Sequence, residues 1–249
     1  MAYTDDILTA TKKSFQFKAK TWKTVLYDIG FYACVLIVIL LINMLLLQQF
    51  QGVNESLDAG SLLDSENAKM VLSDLVGMLV TLIGTIFAGI VVLLIAYGFF
   101  KGLIWATLLE KGFDSNTFKR YTLLSSIILV IEFVIFGGLT ALFKTNGVII
   151  SAGLVPLFTH LHWMISYRFM HIKRVRKSIL TGASDGIMQL VPYIPAYVLI
   201  WLVMIIISRA LTFLQLPNIL YAIISALVII IWVAWARYYF YALAELRLK

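Results

Sequence analysis

Three residues in this chain combine chemical reactivity with an apolar setting: Glu132, His160 and His162. Glu132 is flanked by Val130-Ile131 and Phe133-Val134. A charged carboxylate at the centre of a lipid-embedded helix costs at least about 2.5 kcal/mol, so this group must be neutral, paired or in contact with water. A carboxyl facing an imidazole can exchange a proton near physiological pH. The plainer alternative is a neutral hydrogen bond that holds two helices in register, worth about 0.6–2 kcal/mol.

The partner follows from counting. Lys144-Thr145-Asn146-Gly147 reads as a short turn, and Glu132 and His160 lie nearly equal distances before and after it. At about 1.5 Å of rise per residue the two sit at one depth. His162 is close to the same level, but residues two apart on a helix point to nearly opposite faces. The two histidines therefore cannot form a metal pair by themselves. The sequence predicts neither a metal nor a cofactor.

The elements that must hold these groups are apolar helices. The chain is 61% hydrophobic and only 13% charged, a composition that belongs in a bilayer. About 20 apolar residues cross the hydrocarbon core as a helix, and six stretches meet that length: 25–47, 78–100, 121–143, 148–170, 195–214 and 219–240. They are too long for strands and lack the alternation of a transmembrane barrel. The expected fold is all-α, one integral domain of six spanning helices over 1–249.

Lys and Arg in short loops set orientation. One side collects Lys13, Lys18, Lys20 and Lys23, then Lys101, Lys111, Lys119 and Arg120, then Lys173, Arg174, Arg176 and Lys177, then Arg237, Arg247 and Lys249. The other holds Lys69, Lys144 and Arg209. Both termini are expected in the cytoplasm, with 171–190 as a basic cytoplasmic loop and 48–69 as an acidic outer loop, in the plasma membrane of the cell. The net charge of +7 follows from these loops and gives no basic face for nucleic acid.

Phe15, Ala19, Trp22 and Leu26 fall at helical spacing among lysines, which predicts a basic amphipathic helix over 12–24 lying in the interface. Its Lys13, Lys18, Lys20 and Lys23, with Lys173, Arg174, Arg176 and Lys177, would contact anionic headgroups. Gly77, Thr81, Gly84, Thr85 and Ala88 form one small-residue face. Such a face lets backbones approach closely in lipid, so it is expected to pack on another helix or on a second subunit. Trp105, Trp235, Tyr238, Tyr239 and Tyr241 read as an interfacial belt. Charges near span ends suggest two ion pairs, Asp74 with Arg209 and Asp28 with Arg237.

No phosphate loop, zinc helix or nucleophile elbow occurs. The leading functional reading is a non-catalytic membrane component that binds lipid or a membrane-protein partner, a second copy included. A proton-linked small-solute permease using Glu132 and His160 is the alternative, and an intramembrane or lipid-modifying enzyme comes third.

Overall fold

The computed structural model describes the backbone of residues 2–16, 18–58, 65–213 and 217–248, and the side chains of these except 2–4, 49–50, 52–58, 65–68, 70–71 and 74. Every regular element among the described residues is a helix: α1 Ala2–Ser14, α2 Ala19–Asp58, α3 Ser65–Leu108, α4 Ser115–Ile172, α5 Val175–Phe213 and α6 Asn218–Arg247. Five of them contain segments long and apolar enough to cross a membrane: Ala19–Gln48, Leu75–Leu108, Ser115–Ile172, Val175–Phe213 and Asn218–Arg247. In lipid a helix satisfies every backbone polar group internally, which explains why these sequences adopt nothing else.

The fourth of these is a doubled helix. Lys144 sits at φ 50°, ψ −125°, outside helical geometry, and residues on its two sides face each other. The Phe136 and Phe158 rings lie 5.0 Å apart and those of Tyr121 and Phe169 5.5 Å apart. A Cβ on Gly147 would meet Thr140 Cα at 2.7 Å, so only glycine fits this close return. α4 is thus a helical hairpin with arms 115–143 and 145–172. The expected turn of four residues is made essentially at one.

Three expected boundaries change. The loop expected over 48–69 is helical as far as Asp58 and again from Ser65. Gln and Glu are good helix formers, so the helix runs on past its apolar stretch. The basic loop expected over 171–190 contracts to the Lys173–Arg174 link, because α5 begins at Val175 and carries Pro192 and Pro195 inside it. Lys173 makes the corner at φ 55°, its N–H bonding the Phe169 carbonyl.

The interfacial helix expected over 12–24 is the third. It is broken: α1 ends at Ser14 and α2 begins at Ala19. The Ser14 hydroxyl donates to the Thr11 carbonyl at 2.8 Å, a side-chain bond that competes with the backbone ladder. Instead of extending, α1 packs on α6, burying Ala10 and Ser14 completely. Trp22 and Leu26, the α2 part of the predicted stripe, stay 51% and 64% exposed.

The chain divides into two compact units, one of Met1–Ile29 with Gly98–Lys249 and the other Gly30–Tyr97. The smaller is a pair of helix segments in which Gly89 packs on Val38 and Ile42. On its small-residue face Gly77, Thr81, Gly84 and Ala88 are exposed and Thr85 is half-buried. A Cβ added at Gly77 or Gly84 would meet nothing within 4 Å.

In the larger unit the core gathers at one end. Ile104, Trp105 and Leu108 of α3, Tyr121 and Leu124 of the first α4 arm, Met164–Met170 of the second and Ala234–Ala244 of α6 meet there. The aromatics expected in an interfacial belt are inside this core: Trp105, Trp235, Tyr238, Tyr239 and Tyr241 are all buried. Trp235 and Tyr239 stack with ring centroids 5.8 Å apart and planes nearly parallel. Large flat rings bury more area than most other side chains, which gathers them in this core.

The closest helix pair is α4 with α5. Here small residues do what the sequence assigned to α3: a Cβ on Gly182 would meet Ile165 Cα at 2.5 Å, and one on Gly186 would meet Leu161 Cδ2 at 2.7 Å. Close approach at glycine is how helices gain packing energy in lipid.

Candidate functional site

Three sets of polar groups in the larger unit bear on the candidate residues. The first is a buried ion cluster at the core end. Lys101 of α3 donates to Asp28 Oδ1, and Arg237 Nη1 of α6 donates to Asp28 Oδ2 at 3.0 Å. The three side chains are 11%, 1% and 5% exposed for Lys101, Asp28 and Arg237. One carboxylate thus ties α2, α3 and α6 together. Buried charges are tolerable only when paired and hydrogen-bonded, and this arrangement meets both conditions. The sequence brought Asp28 and Arg237 into one frame; it missed Lys101, which reads as an ordinary cytoplasmic-loop cation.

The second set centres on His160, which is completely buried. Its Nε2 lies 2.9 Å from the Gly186 carbonyl and its Nδ1 2.7 Å from the Tyr197 hydroxyl. A carbonyl can only accept, so Nε2 carries a proton. A neutral ring then accepts the Tyr197 O–H at Nδ1, and both nitrogens are satisfied without a charge. Tyr193, Tyr197 and Phe240 surround the ring edge-on with centroids 5.2–5.8 Å away. His160 joins the second arm of α4 to α5 and does not meet Glu132.

The third set contains Glu132. It faces His162, with Oε1 to Nδ1 at 3.4 Å and side-chain exposures of 18% and 9%. The depth argument therefore found the right level but the wrong histidine. Helix twist decides the face: residues two apart diverge, and α5 claims His160. At 3.4 Å the contact is long for a hydrogen bond.

Other charges serve as inter-element ties. Arg168 Nε donates to Asp185 Oδ2 at 2.5 Å between α4 and α5, and Lys13 pairs with Glu245 at 2.8 Å between α1 and α6. Lys20 reaches Glu110 at 3.3 Å and lies over the Tyr238 and Tyr241 rings at 5.6 and 5.1 Å. Two of the expected headgroup lysines, Lys13 and Lys20, thus have protein partners, while Lys18, Lys23, Arg174, Arg176 and Lys177 are exposed and Lys173 is half-buried. Arg209 is exposed on α5; its expected partner Asp74 has its side chain outside the described residues. Asp114, just before α4, caps that helix by accepting from Thr117 N–H at 2.7 Å. Hydrogen bonds from Thr117 hold its carboxyl below the ordinary value.

A cavity lies between the second α4 arm and α5. It has a volume of about 540 Å³ and is open rather than enclosed. Gly153, Leu154 and Leu157 form one wall, and Ile194, Trp201 and Ile205 are on the other. The side-chain polar atoms among its lining residues are the Tyr197 hydroxyl, which His160 already engages, and the Trp201 indole N–H. No group of three or more His, Cys, Asp and Glu among the described residues could hold a metal.

Together these features define an all-helical protein with five helices able to span a membrane. No protein family matches the chain, and neither does any characterised protein or solved structure.

Proposed function

We propose that this chain is a six-span membrane protein, both termini cytoplasmic, that acts as a non-catalytic lipid-binding component of the membrane. The sixth crossing comes from reading the two arms of the α4 hairpin as separate spans, and the orientation from the Lys and Arg asymmetry. The observation that carries the reading is the open cavity of about 540 Å³ between α4 and α5, lined mostly by apolar residues. Such a volume fits a ligand of lipid-chain dimensions, and in a bilayer hydrocarbon is the medium that fills it. The buried, doubly hydrogen-bonded His160, joined to the lining residue Tyr197, supports a structural role for that residue.

Trp201 lines this cavity and supplies the test. In nanodiscs containing a small fraction of phospholipid with brominated acyl chains, emission assigned to Trp201 by difference from Trp201→Phe should be quenched more strongly than bulk mixing predicts. Quenching that merely tracks the brominated mole fraction would overturn the reading.

The Glu132–His162 contact favours a second reading, a proton-linked permease. It predicts a carboxyl band that titrates between about pH 5 and 8 and shifts in His162→Ala. An infrared signal unchanged over that range, with Glu132→Gln still folded, removes it.

A further inference from the structure

The cavity between α4 and α5 has a polar continuation along its own helix. On α5 the lining residues Ile194, Val198, Trp201, Leu202 and Ile205 advance in steps of three and four, which keeps them on one face. Arg209 stands four residues beyond Ile205 and seven beyond Leu202 on the same uninterrupted helix. It therefore sits on the cavity face, about 6 Å further along the axis at 1.5 Å per residue. Arg209 is exposed, and it makes no ion pair among the described residues.

We infer that the cavity and Arg209 together form a binding site for one phospholipid molecule: an acyl chain lies between the second α4 arm and α5, and the phosphate pairs with the Arg209 guanidinium. The inference rests on the lipid-binding reading and specifies its ligand. The chemistry matches at each end. The cavity is overwhelmingly apolar, its one hydroxyl is engaged by His160 and only the Trp201 indole N–H remains as a side-chain donor, so it offers little to a polar solute. A guanidinium presents a planar fork of donors suited to phosphate oxygens. An arginine one turn above an apolar groove reproduces the order of a phospholipid, with charge at the surface and chain below. The leaflet selected is the one opposite the termini.

Two substitutions separate the parts of the site. Arg209 is on the surface, so Arg209→Gln removes charge without touching the core. Gly153 lines the groove, and a Cβ there meets nothing within 4 Å, so Gly153→Phe fills the groove without displacing its walls. The readout is native mass spectrometry of the full chain released from detergent, titrated with phosphatidylglycerol or with the phosphate-free diacylglycerol of the same chains.

The wild-type protein should retain one phosphatidylglycerol in preference to diacylglycerol. Arg209→Gln should lose that preference by about tenfold, the size of one charge-assisted contact, while still retaining diacylglycerol. Arg209→Lys should keep part of it, and Gly153→Phe should lose both ligands. An unchanged preference in Arg209→Gln overturns the phosphate site but leaves the groove as a lipid site. Equal retention of both ligands in Gly153→Phe and wild type overturns the groove, and with it the lipid-binding reading.

Discussion

The two ends of the larger unit are built on opposite principles. At one end α1, α3, both α4 arms and α6 bury tyrosines, tryptophans and a three-charge cluster. At the other, Phe133 and Leu142 are 78% exposed, Ile219 79% and Phe213 90%. In water the second end would be an aggregation surface. In hydrocarbon an exposed Leu or Phe costs nothing, and the protein needs no core there. Lipid removes the hydrophobic drive between helices, so tight structure appears only where polar groups or aromatic rings demand it. The loose end is correspondingly where a groove can stay open.

This contrast has graded consequences. Asp28→Ala leaves Lys101 and Arg237 buried without their carboxylate, and breaking a buried pair costs about 3–5 kcal/mol. Detergent-solubilised protein should show a large drop in Tm or fail to fold. Phe133→Ala at the open end should leave Tm nearly unchanged; comparable losses at the two sites would erase the distinction. Gly182→Val forces a side chain against Ile165 backbone and should cost about 1–3 kcal/mol, as overpacking does. Gly84→Val, with nothing within 4 Å, should be silent in the monomer, and a thermal-shift comparison of the two glycines checks this.

Smaller effects refine the picture. Tyr197→Phe removes the donor to His160 Nδ1 and should cost about 0.6–1.7 kcal/mol, the range of inter-helix hydrogen bonds in membranes; chemical denaturation in mixed micelles measures it. Lys20→Ala breaks a largely solvent-exposed pair and should change stability by less than about 1 kcal/mol.

The smallest effect concerns pH. The Asp114 carboxyl, held below its ordinary value of 3.8 by Thr117, stabilises the α4 start while ionised. That contribution is present above 3.8 and is lost as pH falls through the lower folded value. Hydrogen exchange at the Thr117 amide should accelerate only in that acid window, and Asp114→Asn should flatten the dependence.

Element type was legible in the sequence because long apolar runs leave the backbone no choice but a helix. The reversal at Lys144–Gly147 was legible because a short polar segment with glycine interrupts one such run. The Asp28–Arg237 frame was visible too, since both charges intrude near span ends. What escaped depends on helix rotation, which single-sequence spacing leaves open. His160 turns to Tyr197 and Gly186, giving Glu132 to His162, and only the packed α5 makes that choice. Gly182 and Gly186 form the close contact between α4 and α5, although the richer run of small residues is at Gly77–Ala88. Composition marks which faces can approach; complementary shape on the opposing helix decides which do. The broken N-terminal helix has the same origin, since docking of Ala10 and Ser14 against α6 outweighs a continuous stripe.

The central claim is that the α4–α5 groove holds lipid rather than a water-filled path for a solute. Leu157→Cys in a Cys34→Ala background places a single thiol on the groove wall, where a membrane-impermeant charged thiol reagent reports water directly. In proteoliposomes the account predicts no labelling from either side, because thiolate formation and reagent entry both require water. Ready labelling, lost when Gly153→Phe fills the groove, would contradict it and favour a solute pathway.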